Sequence, residues 1–91
     1  MVQDSDFLPR IKRAWADRGP YCLIVEWDDG EISKIDFSEL LLRSQHLRQF
    51  ANDPYAFARV GPNEFGTGIE WDNGLDYSAR ALKMLADEQK R

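Results

Sequence analysis

The tetrapeptide WDDG at residues 27–30 returns as WDNG at residues 71–74, and each copy runs on into a second shared stretch, IDFS at 35–38 and LDYS at 75–78. In both places an apolar segment ends in Glu-Trp, at Glu26-Trp27 and Glu70-Trp71, turns through an acidic tip with a glycine, and reaches Asp-aromatic-Ser before a leucine-bearing stretch. Each part has a conformational reason. Asp and Asn bond to the chain two residues on and tolerate left-handed backbone, glycine supplies positive φ, and together they close tight hairpins. Two copies alone fit a pseudo-symmetric α+β fold better than a solenoid, which needs three or more units to bury its faces.

At 91 residues the chain is expected to form one domain over residues 1–91, since two cores would each fall near the size, roughly 40 residues, where burial stops offsetting chain entropy. Three Trp, five Phe and three Tyr must then carry much of the core, and a deep enclosed active site would compete with it for side chains. Cys22 is the only cysteine, which excludes an internal disulfide and fits a reducing, cytoplasmic setting. The first ten residues, MVQDSDFLPR, carry acids where a signal peptide needs bases, and the apolar runs are too short to span a membrane.

The net charge of −4 is unevenly spread. Residues 21–40 hold six acids against Lys34, and residues 61–80 hold four against Arg80. The acidity sits in the two repeat copies, and an acidic tip repels phosphate and attracts basic groups. A basic or mixed-charge protein partner is therefore expected ahead of nucleic acid.

Along the chain, residues 1–9 read as a loose lead-in ending at Pro9. Residues 10–15 read as a short strand before an Arg18-Gly19-Pro20 turn, although Phe7, Ile11 and Trp15 also recur at helical spacing. Residues 21–27 are the clearest strand, with Tyr21, Leu23, Val25 and Trp27 on one face and Cys22, Ile24 and Glu26 on the other. Two apolar residues on the second face suggest a central strand, paired through Asp28-Asp29-Gly30 with residues 31–37. Ser38 and Ser78 are candidate helix caps, with Phe37 stapling onto Leu42 and Tyr77 onto Leu82. A second helical piece starts at Ser44, burying Leu47 and Phe50, and Asp53-Pro54 opens a further turn with Tyr55 and Phe57 inward. Residues 58–61 and 67–71 form a second candidate strand pair. A helix from Ala79 closes the chain, burying Ala81, Leu82 and Leu85, with a fraying end at residues 87–91. The fold class predicted is α+β, with a small mixed or antiparallel sheet, short middle helices and a C-terminal helix.

The strings VEWDDGEISKIDFSELL, DPYAFARV and IEWDNGLDYSARAL resemble the bacterial family catalogued as domain of unknown function 2442. The likeness runs from about Arg10 to Leu85. It implies a small α+β domain with a pseudo-barrel-like sheet. Members of that family occur alone, fused to a helix-turn-helix domain, or beside a small neighbour in an arrangement similar to a toxin–antitoxin pair. With no such domain fitting before Arg91, a fused member's DNA-binding role is not expected here.

Candidate sites weigh against plainer readings. Asp28, Asp29, Asp36, Asp72 and Asp76 invite a divalent metal, but a calcium loop places its glycine at the sixth position of an alternating acidic loop, which DDG does not; turn chemistry accounts for them. His46 has only Ser44 and Gln45 beside it, and a general base needs a nucleophile or carboxylate nearby. Cys22 lies mid-strand with no adjacent base to stabilise a thiolate. Trp27 and Trp71 fit paired core or rim packing, and Arg10, Lys12 and Arg13 with Trp15 are the nearest approach to a nucleic-acid patch. No catalytic residue, cofactor or metal is expected. A non-enzymatic interaction domain leads, antitoxin-like by resemblance, with Trp27, Asp28, Asp29, Glu31 and Asp72 as partner-contact candidates. A DNA-associated regulatory module comes next, and a small hydrolase built around His46 last.

Overall fold

The structure, a computed structural model, describes residues 9–18 and 21–89. The expected lead-in before Pro9, the Gly19-Pro20 part of the turn and the last two residues lie outside them. The order is β1 (Ile11–Ala16), β2 (Cys22–Trp27), β3 (Ile32–Asp36), α1 (Ser38–Arg43), a 3-10 helix (Leu47–Phe50), α2 (Pro54–Phe57), β4 (Gly61–Pro62), β5 (Gly68–Glu70), β6 (Asp76–Ser78) and α3 (Ala79–Gln89). This is an α+β fold, as expected, but with two sheets. Strands β1-β2-β3 form one antiparallel sheet and β4-β5-β6 the other. The residues favoured as a first strand do form one, and β2 is the central strand that its two-sided apolar pattern suggested.

The sheets meet where Ile11 N–H donates to the Gly66 carbonyl at 2.8 Å. That approach needs glycine: Gly66 sits at φ 71°, and a Cβ there would lie 2.6 Å from the Ile11 oxygen. The core side of the first sheet presents Leu23, Val25, Trp27 and Ile35. It packs against Phe37, Phe50, Phe57, Ile69, Trp71 and Leu82, all buried. Phe57 is the hub, with ring centroids of Tyr21, Phe37, Phe50 and Trp71 at 5.5, 5.6, 6.0 and 5.7 Å. Tyr55, expected to point inward with it, is 84% exposed. On a one-turn helix, positions two apart face opposite ways.

The repeat is real in backbone form. Trp27 N–H donates to the Glu31 carbonyl and Trp71 N–H to the Leu75 carbonyl, with Gly30 and Gly74 both at positive φ. The copies then diverge. Ser78 Oγ accepts the Ala81 N–H at 3.1 Å and caps α3 as expected. Ser38 is not a cap: it is the first residue of α1, and its own N–H donates to Asp36 Oδ1 at 2.8 Å. Hydrogen bonds from the Ser38 backbone N–H and from the Ser38 side chain hold the Asp36 carboxyl below its ordinary pKa. The staple onto Leu42 also fails, because Phe37 turns into the aromatic core and Leu42 is 72% exposed, leaving Leu41 as the buried leucine of α1. Residues 76–78, expected only as the approach and cap to the helix from Ala79, also form β6 against β5. Helix α3 stays regular to Gln89, whose carboxamide accepts from Asp36 N–H and donates to Asp36 C=O, occupying that end of the β3 edge. Among the described residues, no helix is long and apolar enough to cross a membrane.

Candidate functional site: the acidic hairpin tip

The β2–β3 turn is held from inside. Trp27 is 3% exposed, and its indole N–H donates to Ser33 Oγ at 2.9 Å across the hairpin. The Trp27 ring is thus core, not contact surface, which corrects its place among the partner-contact candidates; the inward face of an alternating strand leaves it no route to a partner. Trp27→Phe leaves the buried Ser33 hydroxyl without that donor, and the expected cost is about 1–3 kcal/mol. Adding Ser33→Ala recovers part of it, and urea-unfolding midpoints of the two variants check this.

Beyond Trp27 the acids take different roles. Asp29 Oδ1 accepts the Glu31 N–H at 2.9 Å, the local bond expected of an acidic turn residue. Glu31 Oε1 receives Lys83 from α3 at 2.7 Å. Lys83 also lies 5.2 Å from the Trp27 ring centroid, and the carboxylate beside it raises its pKa. Asp28 is exposed, with its backbone N–H donating to the Arg10 carbonyl, and its carboxylate has no partner among the described residues. The tip is therefore pinned by its backbone, by Trp27 and by Lys83, with Asp28 and Asp29 presented outward.

Asp72 belongs to a different arrangement. Arg59 Nε donates to its Oδ2 at 2.6 Å, while Asn73 donates to Gln49. The second tip is tied to the middle of its own chain, and Trp71 beneath it donates to the Phe57 carbonyl. The remaining candidates separate as well. His46 is exposed, and no carboxylate reaches its ring among the described residues. Cys22 is buried on the side of β2 away from the core cluster, and burial pushes its thiol pKa up, the opposite of what a reactive thiolate needs. Among the described residues no three His, Cys, Asp or Glu side chains converge as a metal site requires.

The basic residues do not gather into one patch. Arg13 pairs with Glu26 across β1 and β2, whereas Arg10 donates to the Phe65 carbonyl at 3.3 Å. Arg10 borders a shallow groove of 310 Å³ with Pro9, Thr67, Ser78, Ala79 and Arg80 at the start of α3. Sequence distance hid this groove, because its two arginines are seventy residues apart (80 − 10).

Comparison with known proteins places residues 11–88 in the match to a family described as "Protein of unknown function (DUF2442)". No curated protein matches the chain. Among solved structures, the chain is similar to the crystal structure of "Putative DNA Binding Protein NE0471" from Nitrosomonas europaea, with TM-score 0.78 and 30% identity over 92% of this chain. It spans 52% of that protein's length.

Proposed function

The chain belongs to the DUF2442 family of proteins of unknown function, and from its geometry we propose that it is a non-enzymatic protein-interaction domain presenting the β2–β3 tip to a basic or mixed-charge protein. The observation that carries this reading is the tip itself: two outward carboxylates, Asp28 and Asp29, on a turn that the core residue Trp27 and the Glu31–Lys83 pair hold in place. A preorganised charged tip binds without the entropy cost of ordering a loop, and it raises the association rate of a partner of opposite sign.

Capture from the native host, compared between the wild type and Asp28→Lys/Asp29→Lys, tests it. Both side chains are exposed, so the variant should fold normally. The expected result is a protein held by the wild type and depleted about tenfold or more on the variant, which corresponds to about 1.4 kcal/mol. Identical retention by the two, or nothing retained by either, ends the reading.

Contact with DNA is favoured by one observation, the name of the structural neighbour, and the Arg10–Arg80 groove is where a phosphate would sit. That neighbour is almost twice as long as the matched region, so the property in its name can reside in the other half. Gel shifts at two salt concentrations separate the readings. Phosphate contact predicts binding that falls steeply with salt and weakens in Arg10→Ala/Arg80→Ala, whereas the protein-interaction reading predicts no shift at low salt.

A further inference from the structure

The strand registers place nine side chains on the outer face of the first sheet in three rows. Arg13, Glu26 and Ile32 form the first; Trp15, Ile24 and Lys34 the second; Asp17, Cys22 and Asp36 the third, with Asp17 extending the ladder through its bond to the Cys22 carbonyl. Trp15 is 42% and Ile32 60% exposed, so a bent apolar band, Trp15–Ile24–Ile32, crosses this face. Charges flank it on both sides: Arg13 with Glu26 on one, Lys34 and Asp36 on the other.

This pattern is self-complementary under one two-fold axis. An axis lying in the face along the Ile32–Ile24–Asp17 diagonal sets Arg13 over Asp36 of a second copy and Glu26 over its Lys34. It also sets Trp15 over Cys22, Ile24 over Ile24 and Ile32 over Ile32. The only like-charge meeting is Asp17 with Asp17, each 3.3 Å from Lys34 of its own chain, which the pairing shares with Glu26 of the other copy just as it shares Arg13 between Glu26 and the other copy's Asp36. The other in-plane axes do worse. Along the strands, Asp17 faces Asp36 and Trp15 faces Lys34; across them, Lys34 faces Lys34, Ile32 faces Asp36 and Glu26 faces Cys22; along the opposite diagonal, Ile32 faces Asp17 and Glu26 faces Trp15. The favoured diagonal crosses the strands of the two copies steeply, as in orthogonal sheet packing.

We propose that this face is the interface of an isologous homodimer, two copies stacked sheet to sheet about the Ile32–Ile24–Asp17 diagonal. It uses a different surface from the acidic tip and stands or falls separately from the partner reading. Nine side chains cover well under the roughly 800 Å² per partner of a stable interface, so the dimer is weak and reversible, with a dissociation constant on the order of tens to hundreds of micromolar.

Sedimentation equilibrium from about 10 µM to about 1 mM, a range bracketing that affinity, tests the proposal on the full chain. Mass should rise from monomer towards dimer with concentration. Ile32→Asp, at an exposed edge position, should raise the dissociation constant about tenfold or more, equivalent to about 1.4 kcal/mol, with the circular dichroism spectrum unchanged. Lys34→Glu should weaken the dimer by facing Glu26 of the other copy, and Glu26→Lys added to it should restore part of the loss. Asp28→Lys/Asp29→Lys should leave dimerisation unchanged. A mass that stays monomeric at 1 mM, whether the face is bare or covered by another segment of the chain, overturns the proposal, as does a dimer indifferent to Ile32→Asp.

Discussion

Phe57→Ala is expected to be the most damaging single substitution in this domain, costing about 3–5 kcal/mol. Phe57 is 1% exposed and its ring meets four others, including Trp71 at 5.7 Å and Tyr21 at 5.5 Å. Truncation removes the lost transfer free energy and opens a cavity that these rings, braced by the Trp71 N–H bond to the Phe57 carbonyl, cannot collapse to fill. A domain of this length has roughly 5–14 kcal/mol in all, at about 0.05–0.15 kcal/mol per residue, so a large part of the total disappears. Urea unfolding should show a much lower midpoint, while Tyr55→Ala, two residues away and 84% exposed, should stay within about 0.5 kcal/mol of wild type. Equal losses in the two variants would place the core elsewhere.

Gly66→Ala comes second, at about 2–4 kcal/mol. The position combines a left-handed φ of 71° with a Cβ site 2.6 Å from a backbone oxygen of β1. The backbone cannot turn aside as a flexible side chain could, so the seam between the sheets must open. Gly30→Ala is the matched control: its φ is 89° but nothing lies within 4 Å of its Cβ site, leaving only the left-handed penalty of about 1–2 kcal/mol. Thermal unfolding of the pair separates crowding from backbone strain, and a Gly66→Ala loss no greater than that of Gly30→Ala contradicts the seam described.

What was legible in the chain followed from local chemistry. Alternation over residues 21–27 marked the central strand, Asp-Asp-Gly and Asp-Asn-Gly marked two turns, and Asp53-Pro54 marked a helix start that Asp53 caps through the Ala56 N–H. The failures came where the chain repeats itself in letters but not in environment. IDFS ends a strand and enters a helix, whereas DYS of its twin is itself β6, a strand of three residues and too short to show a period. Ser78 caps and Ser38 does not, because α1 begins at Ser38 itself and leaves Phe37 at the cap position, whereas α3 begins one residue after Ser78. Leucines at 40, 41 and 42 carry no indication of which one faces inward.

The candidate site was half legible for the same reason. Acidity at the tip is a property of letters. Whether an acid is presented or occupied depends on cations remote in sequence, Lys83 for Glu31 and Arg59 for Asp72. The outer face of the first sheet was equally out of reach, since it exists only once the registers of three strands are set.

The two tips, alike in sequence and unlike in environment, supply an internal control for the central claim that the first is the contact surface. An amide NMR titration of the labelled domain with the protein depleted by Asp28→Lys/Asp29→Lys measures both at once. The amides of Asp28, Asp29, Gly30 and Glu31 are predicted to shift or broaden while those of Asp72, Asn73 and Gly74 remain in place. Equal perturbation of both tips, or change confined to the second, would contradict the account.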